Sequence, residues 1–195
     1  RSCSGGLHSN EVRMNIFVLD TDPEIAARYH CNKHVVKMIL ESGQMLCGAH
    51  WLSFLHKNGK DLKSFKRVRD AQAWLWENMP KHKQPPWKLS HANHPCSVWT
   101  RESKDNYRWH CELGLALCAE YTRRYGKIHK SEQLHNWLID NVPDIPDIGR
   151  TEHPACMPDD CKVDSVVESY KNYYREYKKR LAVWEPRATT PSWFV

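Results

Sequence analysis

Apolar residues recur at helical spacing along several segments of this chain. Most of these segments begin or end at a residue that favours a helix terminus: Asp22 and Pro23 at the first start, Pro80 after the second segment and Gly126 after the third. An apolar, β-branched run, MNIFVLD at 14–20, precedes the first helix and predicts a strand or an extended segment. The predicted helices cover roughly 22–56, 62–79, 95–125, 131–141 and 165–185.

This pattern predicts a mainly α fold, a single compact domain of about five helices with a short N-terminal extended segment. Residues 1–13 lack periodicity and precede Met14, so we expect them to be a leader or an added segment, with Met14 as the native start. Residues 14–195 then form the helical domain, which is long enough for a proper core. The proline-rich stretch 142–164 predicts an irregular connection.

A polar stripe interrupts the apolar surface of the first predicted helix. On a continuous helix, His30, His34, Lys37 and Glu41 fall within a sector of about 60°. The rest of that helix is mainly apolar, so we expect it to be buried and the four side chains to face a cleft or to pair with partners. A carboxylate beside imidazole and ammonium groups has a tunable pKa, which favours a general acid–base or electrostatic site.

Two other interpretations of the stripe remain open, a metal site and a structural polar network. His30 and His34 have the i, i+4 spacing that places two imidazoles on one metal ion. Lys33 and Lys37 would repel a divalent ion at that position. The acid–base interpretation is therefore preferred to the metal one.

Histidine and cysteine also cluster outside the stripe. The segment HANHPC at 91–96 could complete a metal site, but it also fits a proline-capped helix start, which we favour. His153, Cys156 and Cys161 form a half-site whose spacing fits no standard zinc motif. The sequence therefore predicts no metal ligand and no cofactor.

The charge and the aromatic content favour an acidic partner such as nucleic acid. The formal net charge is +6, and the chain has nine Trp and eight Tyr, whose rings can stack on bases. Basic residues gather around the predicted end of the third helix, where they can hold phosphates without reading sequence. The candidate nucleic-acid-binding residues are Lys33, Trp99, Arg101, Arg124, Lys127 and Lys130.

Cysteine usage and hydropathy predict where the protein resides. No apolar run approaches the roughly 20 residues of a membrane span, and no signal peptide is visible. Several of the eight cysteines occupy helical core positions, which is typical of reduced thiols. We expect a cytoplasmic protein with no membrane partner.

The opening segment, MNIFVLDTDPEIAARYHCNKHVVKMILESGQML, resembles small proteins of bacteriophages and large DNA viruses that have no assigned function. The segments HPCSVWTRES, RYGKIHKS and MPDDCK share this resemblance, which covers nearly all of 14–195. It implies a viral origin and a location in the host cytoplasm.

A looser resemblance is to the phage-type pyrimidine-dimer DNA glycosylases, the endonuclease V family. Those small, basic, all-α proteins carry a histidine on a buried helix and the catalytic glutamate seven residues later, the spacing of His34 and Glu41. Their lyase step uses an N-terminal α-amine, whereas Asn15 follows Met14 here, and Leu40 replaces the arginine expected before Glu41. The resemblance therefore implies base release more strongly than the lyase step.

The resemblance implies a DNA N-glycosylase that removes a damaged or modified base, with DNA as its partner. Glu41 would stabilise the oxocarbenium-like sugar or activate water, while His34 and Lys37 orient Glu41 or hold phosphate. For a lyase step, Lys33 or Lys37 is the expected amine. Two alternatives stay open: a non-catalytic nucleic-acid-binding protein, and a metal-dependent hydrolase using His30, His34 and a third ligand such as His94.

Overall fold

The computed structural model describes residues 14–195 and confirms the mainly α prediction. The described part of the chain forms one compact all-helical domain in which no β-strand occurs. Its seven α-helices are α1 (Pro23–Tyr29), α2 (Asn32–Lys57), α3 (Val68–Asn78), α4 (Pro95–Glu102), α5 (Lys104–Tyr125), α6 (Glu132–Asp140) and α7 (Val166–Tyr177). The expected leader, 1–13, lies outside the described residues.

Two of the predicted helices are each divided in two, which raises the number from about five to seven. The first breaks at His30 and Cys31, whose ψ angles of 133° and 162° are extended. The other breaks at Ser103, which ends α4 and whose hydroxyl accepts a hydrogen bond from the Asn106 N–H of α5 at 3.1 Å. The helical spacing of apolar residues in the sequence continues across both breaks, because the two helices on either side of each break bury residues in the same core.

The N-terminal segment 14–20 is extended and buried rather than part of a sheet. Ile16, Phe17, Val18 and Leu19 are at most 3% exposed and join the largest apolar cluster of the core. Asp22 then caps α1 as predicted, accepting a hydrogen bond from the Glu24 N–H at 2.8 Å. This segment passes through the middle of the protein, between α2 and α7.

The two longest helices, α2 and α5, pack against each other and form the centre of the fold, with α1, α4 and α6 arranged around them. The last helix, α7, adds Tyr170 and Tyr174 to the same core, and the chain after it returns over α1, where Trp184 Nε1 donates to the Tyr29 carbonyl at 3.0 Å. Among 14–195 no helix has the length and apolar character needed to cross a bilayer.

The proline-rich connection between α6 and α7 is irregular, as predicted, apart from a short 3₁₀ turn at Asp159–Cys161. It is held to the helices by polar contacts: the Asn106 side chain bonds to Thr151 at 2.7 Å, and Trp99 Nε1 donates to the Thr151 carbonyl at 3.2 Å. The connection therefore brings Cys156 against α4 and the N-terminal segment.

Candidate active site

Glu41 lies on the buried side of α2, next to the N-terminal segment. Its residue is 8% exposed, and its Oε2 atom has no hydrogen-bond partner among the described residues. Burial raises the pKa of Glu41 to about 7, although Lys37, His94 and a hydrogen bond from the Asn15 backbone N–H lower it in part. A carboxyl group with this pKa is present in both protonation states near neutral pH, so it can act as an acid or as a base.

Two lysines surround this carboxylate. Lys37 Nζ is 3.8 Å from Glu41 Oε1, one helical turn away on α2. Lys178, directly after α7, has its ammonium 4.8 Å from the ring centre of Tyr173 and interacts electrostatically with Glu41. Burial lowers the pKa of both lysines, against the opposing effect of Glu41. The site therefore contains amines with lowered pKa beside an acid with raised pKa.

His34 lies one helical turn before Lys37, but it belongs to the aromatic core. Its ring stacks on Phe17 at 4.4 Å, and its Nδ1 is 2.5 Å from the Tyr174 hydroxyl. Burial lowers the pKa of His34 well below 6.5, so the imidazole is neutral at physiological pH. We infer that His34 contributes to the site by fixing the position of α2 against Phe17 and α7.

His30 does not share the helical face of the other three residues, which corrects the expectation from the sequence. It terminates α1 before the break, is fully buried, and its Nδ1 lies 2.6 Å from the Ala26 carbonyl oxygen. Burial lowers its pKa to about 4. In the described part of the chain, His30 and His34 belong to no group of three potential metal ligands.

Three of the candidate nucleic-acid-binding residues, Lys33, Lys127 and Lys130, are exposed. They lie at one end of the protein, where α2 begins and α5 ends, since the Tyr125 hydroxyl donates to the Asn32 carbonyl at 3.4 Å. Lys33 is one helical turn from Lys37, so this basic end continues along α2 towards Glu41.

Of the other three candidates, Trp99 and Arg124 are buried in the interior, which corrects the expectation of nucleic-acid contact for them, while Arg101 is partly exposed. The Arg124 side chain is completely buried and donates to Glu120 at 2.9 Å and to the carbonyls of His30 and Arg28 at 2.7 and 2.9 Å. Trp99 is 1% exposed, and Arg101 donates to the Ala92 carbonyl at 2.7 Å. Arginine and tryptophan are ambiguous in a sequence because each can cap or fill a core as well as bind a ligand.

Sequence reasoning missed Asn15, Lys178 and the approach of Cys156 to Cys96. Asn15 and Lys178 are far from Glu41 in the sequence, and Cys156 is far from Cys96, so no spacing rule connects them. The only available signal was compositional, namely a polar Asn15 inside an apolar run.

A cavity of about 550 Å³ opens near the site, between α4 and the irregular connection. Its lining includes Asn93, Pro95, Glu102, Glu152 and Asp164, while Glu41 and Lys37 do not line it. Three acidic side chains make this cavity unsuited to a phosphate backbone. Glu41 Oε2 and Lys37 Nζ are both buried and have no hydrogen-bond partner among the described residues.

Comparisons with protein-family models, with curated proteins and with solved structures found no match to this chain.

Proposed function

We propose that this protein is a DNA N-glycosylase that releases a damaged or modified base, with Glu41 as the catalytic carboxylate and Lys37 as the reacting amine. The observation that supports this most directly is the Glu41–Lys37 pair, 3.8 Å apart, in which burial raises the pKa of the acid and lowers that of the amine. The resemblance of the His34 and Glu41 spacing to the endonuclease V family points to the same chemistry.

The neutral form of this pair is suited to base release. The Lys37 Nζ lone pair attacks C1′ of the target nucleotide while the bond from C1′ to the base nitrogen breaks. Protonated Glu41 donates its proton to the departing base, and the resulting carboxylate removes a proton from the new C1′–N ammonium. Reprotonated Glu41 then donates its proton to the ring oxygen, the C1′–O4′ bond breaks, and the sugar opens to the protonated imine from which a lyase step proceeds.

Exposed charges near the pair provide a way to hold DNA. Lys33 lies one turn before Lys37 on α2, and Lys127 and Lys130 lie at the adjoining end of α5. Exposed Tyr177 follows half-exposed Tyr173 on α7, directly before Lys178, and offers a ring on which an unstacked base can lie. Binding by such contacts is independent of sequence and weakens with salt.

A second amine near Glu41 is an alternative nucleophile to Lys37, and the experiments need to distinguish between the two. The backbone nitrogen of Asn15 bonds to the Glu41 carboxylate. A chain processed to begin at Asn15 would place its α-amine at this position, the kind of group that the endonuclease V family uses. Peptide mapping of a borohydride-trapped adduct distinguishes this α-amine from Lys37 Nζ.

The test is a base-release assay on duplex DNA with pyrimidine dimers or with virus-type modified bases. Glu41→Gln is expected to lower release by about 10²–10⁴-fold while DNA binding is retained. Lys37→Met is expected to abolish borohydride trapping, whereas Lys33→Met only weakens binding and reduces its salt dependence.

The matched control is Glu112→Gln, because Glu112 is exposed on α5. This variant is expected to keep full activity. DNA binding without release of any base would refute the proposed glycosylase activity and favour a non-catalytic nucleic-acid-binding protein. Full release by Glu41→Gln would refute the assignment of the carboxylate.

A further inference from the structure

A histidine and two cysteines lie close together next to Glu41, with which the histidine interacts electrostatically. One ligand atom each from His94, Cys96 and Cys156 lies within 4.8 Å of the others, and the two sulfur atoms are 3.7 Å apart. Within 14–195 this is the one group of three or more histidine, cysteine or acidic side chains with such mutual distances. His94 and Cys96 stand at the start of α4, and Cys156 comes from the irregular connection.

We propose that His94, Cys96 and Cys156 bind a zinc ion with three protein ligands. This inference goes beyond the proposed function and does not depend on it. One nitrogen and two thiolates form a donor set that favours Zn²⁺ over Mg²⁺ or Ca²⁺, which prefer oxygen. Two thiolates also neutralise the charge of the ion in this buried position.

The observed separation of the sulfur atoms fits this ion. With Zn–S bonds of about 2.3 Å and a tetrahedral angle, two zinc-bound sulfurs are about 3.8 Å apart. The value of 3.7 Å between Cys96 and Cys156 therefore needs almost no movement of the two side chains. By contrast, a disulfide needs its sulfur atoms to approach to about 2.05 Å.

Asn15 and Tyr170 hold the two cysteines in position. The Asn15 side chain donates to the Cys156 carbonyl at 2.8 Å, and its oxygen lies 3.6 Å from the Cys96 sulfur. The Tyr170 hydroxyl donates to that same Asn15 oxygen at 2.8 Å. Such outer contacts orient metal ligands and tune their affinity. Cys96, Cys156 and Tyr170 all belong to the largest apolar cluster of the core, which is the arrangement that a preorganised site requires.

His94 needs one adjustment to bind the ion. Its Nδ1 now accepts a hydrogen bond from the Cys96 N–H at 3.1 Å, which places the proton of the neutral ring on Nε2. Ligation through Nδ1 replaces this single cap bond, and ligation through Nε2 reverses the tautomer.

The cavity between α4 and the irregular connection lies beside the site, although none of the three proposed ligands lines it. Asn93 and Pro95, on either side of His94, line it together with Ala155, which precedes Cys156. Glu102, Glu152 and Asp164 make its walls acidic, which attracts a cation. Three protein ligands with an open fourth position are typical of zinc sites that bind water or substrate.

Metal analysis of the full chain, purified under reducing conditions, tests the proposal. We expect about one zinc ion per chain and the release of about two protons on zinc binding, one from each thiol. Replacement by Co²⁺ is expected to give the near-ultraviolet charge-transfer absorption of thiolate ligands. Glu41→Gln keeps its zinc, because Glu41 is outside the proposed ligand set, so this result is separate from the loss of base release.

Cys96→Ser and Cys156→Ser are each expected to lose the ion, and Asn15→Ala to lower zinc affinity by about 10–100-fold. The matched control is Cys118→Ser, which removes a buried free thiol of α5 and should keep the ion and the cobalt spectrum. Wild-type protein without zinc and without thiolate absorption would overturn the proposal, as would a Cys96–Cys156 disulfide in the reduced preparation. Retention of the ion by folded Cys156→Ser would also overturn it.

Discussion

The buried carboxylate of Glu41 should make the protein less stable at high pH, and Glu41→Gln should relieve this. The pKa of Glu41 rises from 4.5 to about 7 because burial disfavours its charged form. At about 1.4 kcal/mol per pKa unit, the ionised carboxylate costs about 3 kcal/mol of folding free energy at pH above 7. Glutamine has the same shape without the charge.

The sign of the effect follows from proton binding. The folded state binds a proton at Glu41 more tightly than the unfolded state, whose carboxyl group has a pKa of about 4.3. Stability therefore rises as the pH falls from above 7 towards about 4.5, and the penalty is complete above pH 7. When Glu41 is protonated or replaced by glutamine, Lys37 loses its charged partner. Its side chain is 31% exposed, so the ammonium group can turn towards water.

Urea unfolding of wild type and Glu41→Gln between about pH 5 and pH 8 measures this directly. We expect the variant to be more stable by about 1–3 kcal/mol at pH 8, or a few degrees in Tm, and the difference to shrink to less than about 1 kcal/mol near pH 5. Glu112→Gln, on an exposed residue, should show no such pH dependence. A constant difference across this range, or a Glu41→Gln protein that is less stable at pH 8, would refute the reasoning.

Further predictions concern the side chains that hold the helices in place. Arg124→Ala should cost about 3–5 kcal/mol in urea unfolding, because it removes the buried arginine partner of Glu120 and leaves the carbonyls at the α1–α2 break without their donor. Its neighbour Arg123→Ala, which removes a half-exposed bond to the same Glu120, should cost less than about 1 kcal/mol, and equal losses would contradict this. Gly114→Ala should cost about 1–3 kcal/mol, since its Cβ would overlap the His135 ring, while Gly48→Ala on α2 has room and should be neutral or stabilising.

Helix content could be predicted from the sequence because it depends on local signals. Asp22 and Ser165 accept hydrogen bonds from the first turns of α1 and α7, and Gly126 adopts a φ of 67° at the end of α5, all as the residue types indicate. The break at His30 and Cys31 could not be predicted, because the residue types there do not differ from those within a helix. It depends on Arg124, which binds the carbonyls released at the break from 94 positions away.

The candidate site was predicted only as far as it lies on one helix. Lys37 and Glu41 are one turn apart, so a helical pattern suffices to bring them together. Lys178 reaches Glu41 from the end of α7, and Cys156 reaches Cys96 from a connection without periodicity. Such contacts depend on how helices and loops pack, which short-range patterns do not encode.

Unpaired buried polar atoms alone would not single out this part of the protein, since Gln72, His110 and His153 also have one each among the described residues. Those atoms belong to neutral groups, whose burial costs far less than that of a charge. Glu41 and Lys37 differ because both are ionisable and burial shifts their pKa values towards each other. A hydrophobic pair at these positions would give a more stable fold than a buried carboxylate and a buried amine. The presence of the ionisable pair is therefore better explained by a chemical role than by stability.

Asn15 connects this pair to the cysteine cluster, because its backbone N–H bonds to Glu41 while its side chain contacts Cys96 and Cys156. An ion bound by the cysteines would thus fix the segment that contacts the carboxylate, and zinc removal should change the pH dependence of Glu41 even though Glu41 is not a ligand.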